Sequence, residues 1–221
     1  MLQVSFLILL VILCGYAPAP AFSYLHCSRP ADVIFLLDSS KSIGEDEFKK
    51  QLSFVQQVVE YFDVSRGNIR VGLILYTDVA VAEFNLARYS SKEFVKDAVG
   101  RIFYVGGDGR NSHLAIKKAD EHMFQYHWVH NYGLHMIVYI TTGKATDHEE
   151  AVKEAQEAKK GSMIFTLGVG SQVDMKKLGQ LATQDSNQFV FNASSFDDLL
   201  LQKYTVARQI CSGGEDRQRK R

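Results

Sequence analysis

Apolar and polar positions are arranged in blocks along residues 31–210, and the period of the pattern changes from block to block. The run Ala31-Asp32-Val33-Ile34-Phe35-Leu36-Leu37 is short, almost continuously apolar and rich in strand formers. Such a run is typical of a strand that is buried on both faces. From Glu45 to Phe62 the apolar residues recur at helical spacing instead. The pattern therefore predicts a buried strand followed by an amphipathic helix.

The same two periods continue along the chain. Further strands are predicted over residues 69–76, 79–84, 135–141, 162–168 and 188–191, with 79–84 as a short edge strand. Further helices are predicted over residues 91–102, 112–126, 147–160, 174–183 and 196–210. This alternation indicates an α/β fold with a mostly parallel sheet covered on both faces. In such sheets the functional crevice lies beyond the carboxyl ends of the strands, here the loops after Leu37, Ile102 and Ile140.

The first residues follow neither pattern. Residues 2–16 are almost continuously apolar, and small residues with an Ala-x-Ala step follow at 17–23. This shape predicts a secretory signal peptide over residues 1–21. A membrane anchor is the alternative, but the run is shorter than the roughly 20 residues that span a bilayer, and it ends in prolines. No second long apolar run follows, so we expect a secreted protein without a membrane span.

Composition narrows the class of protein. The 221 residues carry 25 Lys+Arg against 25 Asp+Glu and are 46% hydrophobic, as in ordinary globular proteins. A disordered or collagen-like chain is thereby excluded, and the neutral balance gives no electrostatic case for binding nucleic acid.

Removal of the leader leaves two cysteines, Cys27 and Cys211, near the two ends of the remaining chain. Outside the cell two cysteines most simply form one disulfide, which requires that the two ends lie side by side. Free thiols, or pairing with another chain, are the alternatives.

A polar loop follows the first predicted strand directly. It reads Asp38-Ser39-Ser40-Lys41-Ser42-Ile43-Gly44. The Asp38 carboxylate and the hydroxyls of Ser40 and Ser42 place hard oxygens around one point, which suits Mg²⁺ or Mn²⁺. The alternative is an aspartate turn followed by a serine that caps the next helix.

This strand and loop resemble the von Willebrand factor type A domain family. The similarity continues in Ile69-Arg70-Val71-Gly72-Leu73, Tyr76, Tyr104-Val105-Gly106-Gly107 and Thr166-Leu167-Gly168-Val169-Gly170. It covers residues 31–211 and leaves a polar basic tail at 212–221. The resemblance implies a Rossmann-like, doubly wound domain with one short antiparallel edge strand. It also implies binding of extracellular proteins, in many members through a divalent cation at a metal-ion-dependent adhesion site, where a carboxylate of the ligand completes the coordination.

Two parts of the family's metal site are replaced in this chain. The second loop of the family reads Gly-Gly-x-Thr, but Gly109 stands at the threonine position; the third reads Thr-Asp-Gly, but Thr142 stands at the aspartate position. The resemblance therefore implies a weak Mg²⁺ or Mn²⁺ site at Asp38, Ser40 and Ser42, with Asp108 as a candidate substitute ligand. The alternative is a degenerate site, in which these three residues form only a hydrogen-bonded turn.

Our main hypothesis is a secreted, non-enzymatic adhesion or extracellular-matrix protein that binds a partner such as collagen at the carboxyl ends of the strands. A second hypothesis is a structural matrix module with a defunct metal site, which uses another surface such as the aromatic segment from Phe124 to Tyr132. A Rossmann-type enzyme that binds a small molecule is a third, but the chain lacks a Walker loop, a Gly-x-Ser-x-Gly elbow and Gly-x-Gly-x-x-Gly after the first strand.

Three minor motifs remain. Asn192-Ala193-Ser194 is an N-glycosylation sequon, which predicts a glycan at Asn192 in a secreted chain. His127 and His130 have poor spacing for zinc without a third ligand, and they indicate a polar, partly aromatic loop around Trp128. The ending Arg219-Lys220-Arg221 is interpreted as a solvated basic tail that favours sulfated glycans or anionic surfaces, with a proprotein-convertase sequence as the alternative.

Overall fold

The computed structural model describes residues 25–125, 133–143, 146–184 and 187–213. Its strands are β1 (Ala31–Asp38), β2 (Ile69–Tyr76), β3 (Ala80–Phe84), β4 (Leu134–Thr141), β5 (Ser162–Val169) and β6 (Val190–Ala193). Its helices are α1 (Glu45–Val59), α2 (Lys92–Gly100), α3 (Ser112–Lys117), α4 (His148–Ala158), α5 (Met175–Leu181), α6 (Phe196–Leu201) and α7 (Lys203–Ser212). A π-helical segment (Lys118–Met123) continues α3. The strands and helices expected from the hydrophobic pattern are present, with ends that differ by a few residues.

The six strands form one sheet in the order β3-β2-β1-β4-β5-β6. The central strand β1 pairs in parallel with both neighbours, so that Ala31 lies opposite Ile69 on β2 and opposite Leu134 on β4. Among the described strands only β3 is antiparallel, and it closes the edge beside β2. The predicted α/β fold, a doubly wound and mostly parallel sheet with one short antiparallel edge strand, is confirmed.

Alternate residues of β1 enter two separate cores. Val33, Phe35 and Leu37 pack with apolar side chains of α1, α2, α6 and α7, whereas Ile34 and Leu36 pack with those of α3, α4 and α5. All eight residues of β1 are buried, because helices cover both faces of the sheet. The continuous apolar run that predicted a central strand is explained by these two layers.

Two predicted helices are less regular than their apolar pattern indicates. The helix predicted over 112–126 remains α-helical only to Lys117, and the wider π turns bring Met123 against Gly72, where a Cβ would lie 2.5 Å from the Met123 Cε. The helix predicted over 196–210 breaks at Gln202, whose side-chain amide donates a hydrogen bond to the Asn192 carbonyl at 2.9 Å. Both irregularities serve contacts with the sheet that local spacing does not encode.

A disulfide joins Cys27 to Cys211, with Cα atoms 5.5 Å apart and a sequence separation of 184. The bond brings the segment before β1 beside the end of α7, as the prediction requires. The predicted signal peptide and residues 214–221 of the tail lie outside the described residues. Within the described ranges, no helix has both the length and the apolar character needed to cross a bilayer.

Candidate functional site

The loops at the carboxyl ends of β1, β2 and β4 meet at one edge of the sheet. We call the surface that they form the upper face: residues 38–44, 77–79, 103–111, 142–143 and 146–147. The Lys41 main-chain N–H donates to the Gly107 carbonyl at 2.7 Å, and the Asn111 N–H donates to the Thr77 carbonyl at 2.8 Å. The loops after Leu37, Ile102 and Ile140, expected from the sequence to surround the functional crevice, therefore belong to one surface.

Asp38 ends β1 at the floor of this face and is fully buried. Its Oδ1 accepts a hydrogen bond from the Ser40 N–H at 2.9 Å, and its main-chain carbonyl accepts one from Gln51 Nε2 at 3.0 Å. Its Oδ2 has no hydrogen-bond partner within the described chain. Burial raises the pKa of the Asp38 carboxyl, and the hydrogen bonds from Ser40 and the charge of Arg110 offset this rise only in part.

This pKa shift leads to a testable pH dependence. The folded chain binds the Asp38 proton more tightly than the unfolded chain, whose pKa is near 3.8. The stabilisation from this proton is therefore present below the unfolded pKa and is lost as pH rises through the folded pKa. We expect the free energy of unfolding of the wild type, relative to Asp38→Asn, to fall with rising pH in urea titrations between about pH 4 and 7. A difference that increases with pH would contradict the assignment.

The other two predicted ligands lie beside Asp38. The hydroxyls of Ser40 and Ser42 hydrogen-bond to each other at 2.7 Å, and the Tyr104 hydroxyl donates to the Ser40 carbonyl at 3.0 Å. The structure therefore brings Asp38, Ser40 and Ser42 together as a compact, hydrogen-bonded turn.

The second loop does not supply the missing hydroxyl. A Cβ at Gly109 would lie 2.5 Å from Asp78 Oδ1 and 3.2 Å from the Asp78 Cα, so a threonine would not fit there without movement of the β2–β3 turn. The carboxylate of Asp108, the candidate substitute, pairs instead with the Lys41 ammonium at 2.8 Å, on side chains that are 81% and 68% exposed. Neither residue is directed at Asp38.

The third loop carries Thr142 and Gly143, and an arginine that the sequence analysis did not single out lies against it. The Thr142 hydroxyl is buried and lies close enough to the Asp38 carboxyl to lower its pKa. The Arg110 guanidinium packs so closely on Gly143 that a Cβ there would overlap its Nη1. Its signal in sequence is weak, because one arginine after a glycine-rich turn predicts only an exposed side chain.

These residues do not fit a tightly held dication. The described part of the chain contains no group of three or more His, Cys, Asp or Glu side chains that could hold a metal ion. At the upper face the candidate ligands are one carboxylate, on which the charge of Arg110 acts, and two hydroxyls that are bonded to each other, whereas Mg²⁺ and Mn²⁺ prefer several oxygen ligands.

A second buried carboxylate, Asp147, supports the loops from below. Its Oδ1 accepts a hydrogen bond from the Ser112 hydroxyl at 3.2 Å, and its Oδ2 accepts one from the His113 N–H at 2.7 Å and contacts His113 Nδ1. Asp147 stands at the N-cap position of α4, but its side chain makes no cap hydrogen bond there. It binds the first turn of α3 instead and so joins the second loop to the third.

Exposed apolar side chains lie on the same face. Phe103 is 88% exposed and Val105 is 62% exposed, in the loop whose glycines contact the Asp38 turn. Val79, in the β2–β3 turn, is 57% exposed. Gly107 permits close packing of the second loop, since a Cβ there would lie 2.5 Å from the Thr77 Cβ.

The remaining predicted features are separate from this face. Asn192 lies exposed on the edge strand β6, and its glycan stays a prediction. His127, His130, Trp128 and Tyr132 lie outside the described residues, so the aromatic loop stays a prediction as well.

Comparison with known proteins gives a family match over most of the chain. The model of the von Willebrand factor type A domain matches residues 32–205. Human matrilin-1 is 30% identical over 222 residues, covering 96% of this chain and 44% of its own length. Human collagen alpha-1(XXI) chain is 29% identical over 186 residues, covering 83% of this chain and 19% of its own. This chain thus spans less than half the length of these relatives, which are secreted matrix proteins and confirm the predicted extracellular location.

Solved structures show the same fold. Proximal thread matrix protein 1 from the mussel byssus, with a zinc-occupied MIDAS motif, superimposes with a TM-score of 0.77 at 23% identity, covering 85% of this chain and 47% of the other. The manganese-loaded TRAP protein of Plasmodium vivax superimposes with a TM-score of 0.67 at 17% identity, covering 79% and 72%.

Proposed function

The chain belongs to the von Willebrand factor type A domain family, and on this basis we propose that it is a non-enzymatic protein-binding module of the extracellular matrix. Its partner is a matrix protein such as collagen, and the contact is made by the upper face. The matrilin and collagen relatives support a matrix role. The absence of the catalytic motifs named above, together with relatives that are matrix proteins, supports a binding function over catalysis.

One observation carries the choice of surface: the exposed apolar cluster of Phe103 and Val105 beside the Asp38 turn. An aromatic side chain that is 88% exposed in a loop anchored by hydrogen bonds has no role in the core of this chain. Aromatic residues on an otherwise polar rim are typical anchors of protein–protein contacts. The upper face combines such an anchor with the charged groups Lys41, Asp108 and Arg110.

The weak Mg²⁺ or Mn²⁺ site predicted at Asp38, Ser40 and Ser42 is not part of this proposal. The mutual hydrogen bond of the serine hydroxyls and the nearby charge of Arg110 favour the degenerate site. We therefore expect binding to matrix proteins to be unchanged by EDTA.

The test is binding of the full chain to immobilised fibrillar collagen and to a matrilin, measured by surface plasmon resonance with and without EDTA. We expect Phe103→Ala to weaken binding by about tenfold or more, which is the loss of a hot-spot aromatic. Phe94→Ala is the matched control. Phe94 is also an exposed aromatic (63%), but it lies in the first turn of α2, whereas Phe103 follows the carboxyl end of that helix.

Equal binding by the two variants would contradict the assignment of the upper face and would favour the structural module that uses another surface. Loss of binding in EDTA would instead support the hypothesis that a divalent cation at Asp38, Ser40 and Ser42 mediates the contact.

A further inference from the structure

The guanidinium of Arg110 lies within the upper face, between loops to which it does not belong. A Cβ on Gly143 would lie 3.4 Å from Arg110 Cζ and 3.6 Å from Nη2, and it would overlap Nη1. The charge of Arg110 also acts on the carboxyl of Asp38. Arg110, from the second loop, therefore packs on the third loop, and its positive charge lowers the pKa of the carboxyl on the first.

Three buried polar atoms at this place lack a hydrogen-bond partner within the described chain. They are Asp38 Oδ2, Thr142 Oγ1 and Arg110 Nη1. Buried polar groups are normally hydrogen-bonded, so orphaned atoms on three adjoining loops indicate a place that receives a further ligand or water. These atoms belong to a carboxylate, a hydroxyl and a guanidinium, so the positive charge at this place is supplied by a side chain of the protein.

A guanidinium at this position changes what the site can bind. Its charge is permanent, and at short range it repels a dication while it partly neutralises Asp38. Its planar set of N–H donors matches a carboxylate, and such charge-assisted hydrogen bonds are stronger than neutral ones. Within the described ranges the buried Nη1 of Arg110 makes no hydrogen bond, so this donor still lacks an acceptor.

We propose that Arg110 is the resident cation of the upper face: it takes the place of the divalent ion and binds a carboxylate of the partner protein directly. The partner then presents an acidic side chain at the point of contact, and no metal takes part. This inference rests on the proposed function, because it names the chemistry by which the same face recognises its partner.

A calorimetric titration of the full chain with Mn²⁺ alone tests whether Arg110 takes the place of the metal. We expect no saturable heat for the wild type at millimolar Mn²⁺, and a gain in affinity of about tenfold or more for Arg110→Ala, because the Asp38 carboxylate then lacks its internal counter-charge. Gly143→Ala provides a second variant, since its methyl group displaces the guanidinium and keeps the arginine.

The controls separate the site from general effects of charge. Arg101→Ala removes an exposed arginine that pairs with Asp97 on α2, and it should leave Mn²⁺ binding as weak as in the wild type. Asp38→Ala combined with Arg110→Ala should abolish the gain. Sub-millimolar Mn²⁺ binding by the wild type, or no gain in either Arg110→Ala or Gly143→Ala, would overturn the proposal.

A peptide of six glutamates, with a peptide of six glutamines as its control, tests the recognition of carboxylates. We expect the acidic peptide to bind in EDTA, to bind about fivefold more weakly to Arg110→Ala, and to be released by salt. Equal binding of the two peptides would refute the carboxylate preference. The Mn²⁺ result does not depend on any protein partner. A failure of the collagen assay can therefore be told apart from a failure of the proposal that Arg110 replaces the metal ion.

Discussion

The double variant Cys27→Ala/Cys211→Ala is expected to lose about 4–5 kcal/mol of the free energy of unfolding in the chain-entropy account of disulfides. The bond closes a loop that spans 184 positions, so it restricts nearly the whole unfolded chain. Cys27 is 6% exposed, and its main-chain N–H donates to the Tyr61 carbonyl at 3.0 Å, while the partly buried Cys211 packs against the same core. Urea unfolding of the full chain, followed by circular dichroism, measures the loss.

Reduction of the wild type with dithiothreitol provides the matched measurement without any substitution. The reduced wild type should unfold at the urea concentration of the double variant, and the reductant should leave the double variant unchanged. Oxidised and reduced wild type of equal stability would show that the packing of the two ends, rather than the covalent bond, holds them together.

Asp147→Ala should destabilise the fold by about 3 kcal/mol, since it leaves buried donors unpaired. The Asp147 side chain is 8% exposed, and it accepts hydrogen bonds from the Ser112 hydroxyl and the His113 N–H. Asp147→Asn retains the shape and one carbonyl acceptor, so its loss should be intermediate. Thermal or urea unfolding measures the series.

Glu149→Ala is the control for this series. Glu149 is an exposed carboxylate in the first turn of α4, two positions beyond Asp147. We expect its removal to change stability by less than about 0.5 kcal/mol, as is usual for surface substitutions. If Asp147→Ala costs no more than Glu149→Ala, then Asp147 does not hold α3 to the third loop.

The fold could be predicted from the sequence because its signals are local and consistent. A continuous apolar run gives β1, and the apolar spacing from Phe48 to Val59 gives α1, whichever residues these elements later contact. The turn of Asp38, Ser40 and Ser42 could be predicted for the same reason, since its members are neighbours in the chain. The π turns after Lys117 could not, because they depend on the space left at Gly72.

The two residues that change the interpretation of the site depend on long-range contacts. Arg110 acts on Asp38, which is 72 positions earlier in the chain, and packs on Gly143, which is 33 positions later. Asp147 binds Ser112 and His113 rather than its own helix. Neither partner is marked by local spacing, so sequence reasoning singled out neither Arg110 nor the contact of Asp147 with α3.

The covalent bond between Cys27 and Cys211 also determines how the domain responds to mechanical tension. Force that pulls apart the segments on either side of residues 27 and 211 passes through the sulfur bridge, because their Cα atoms are only 5.5 Å apart. The hydrogen bonds of the sheet lie outside that route and bear little load. A domain pulled at these two points would therefore extend by almost nothing, and the upper face would keep its geometry under load.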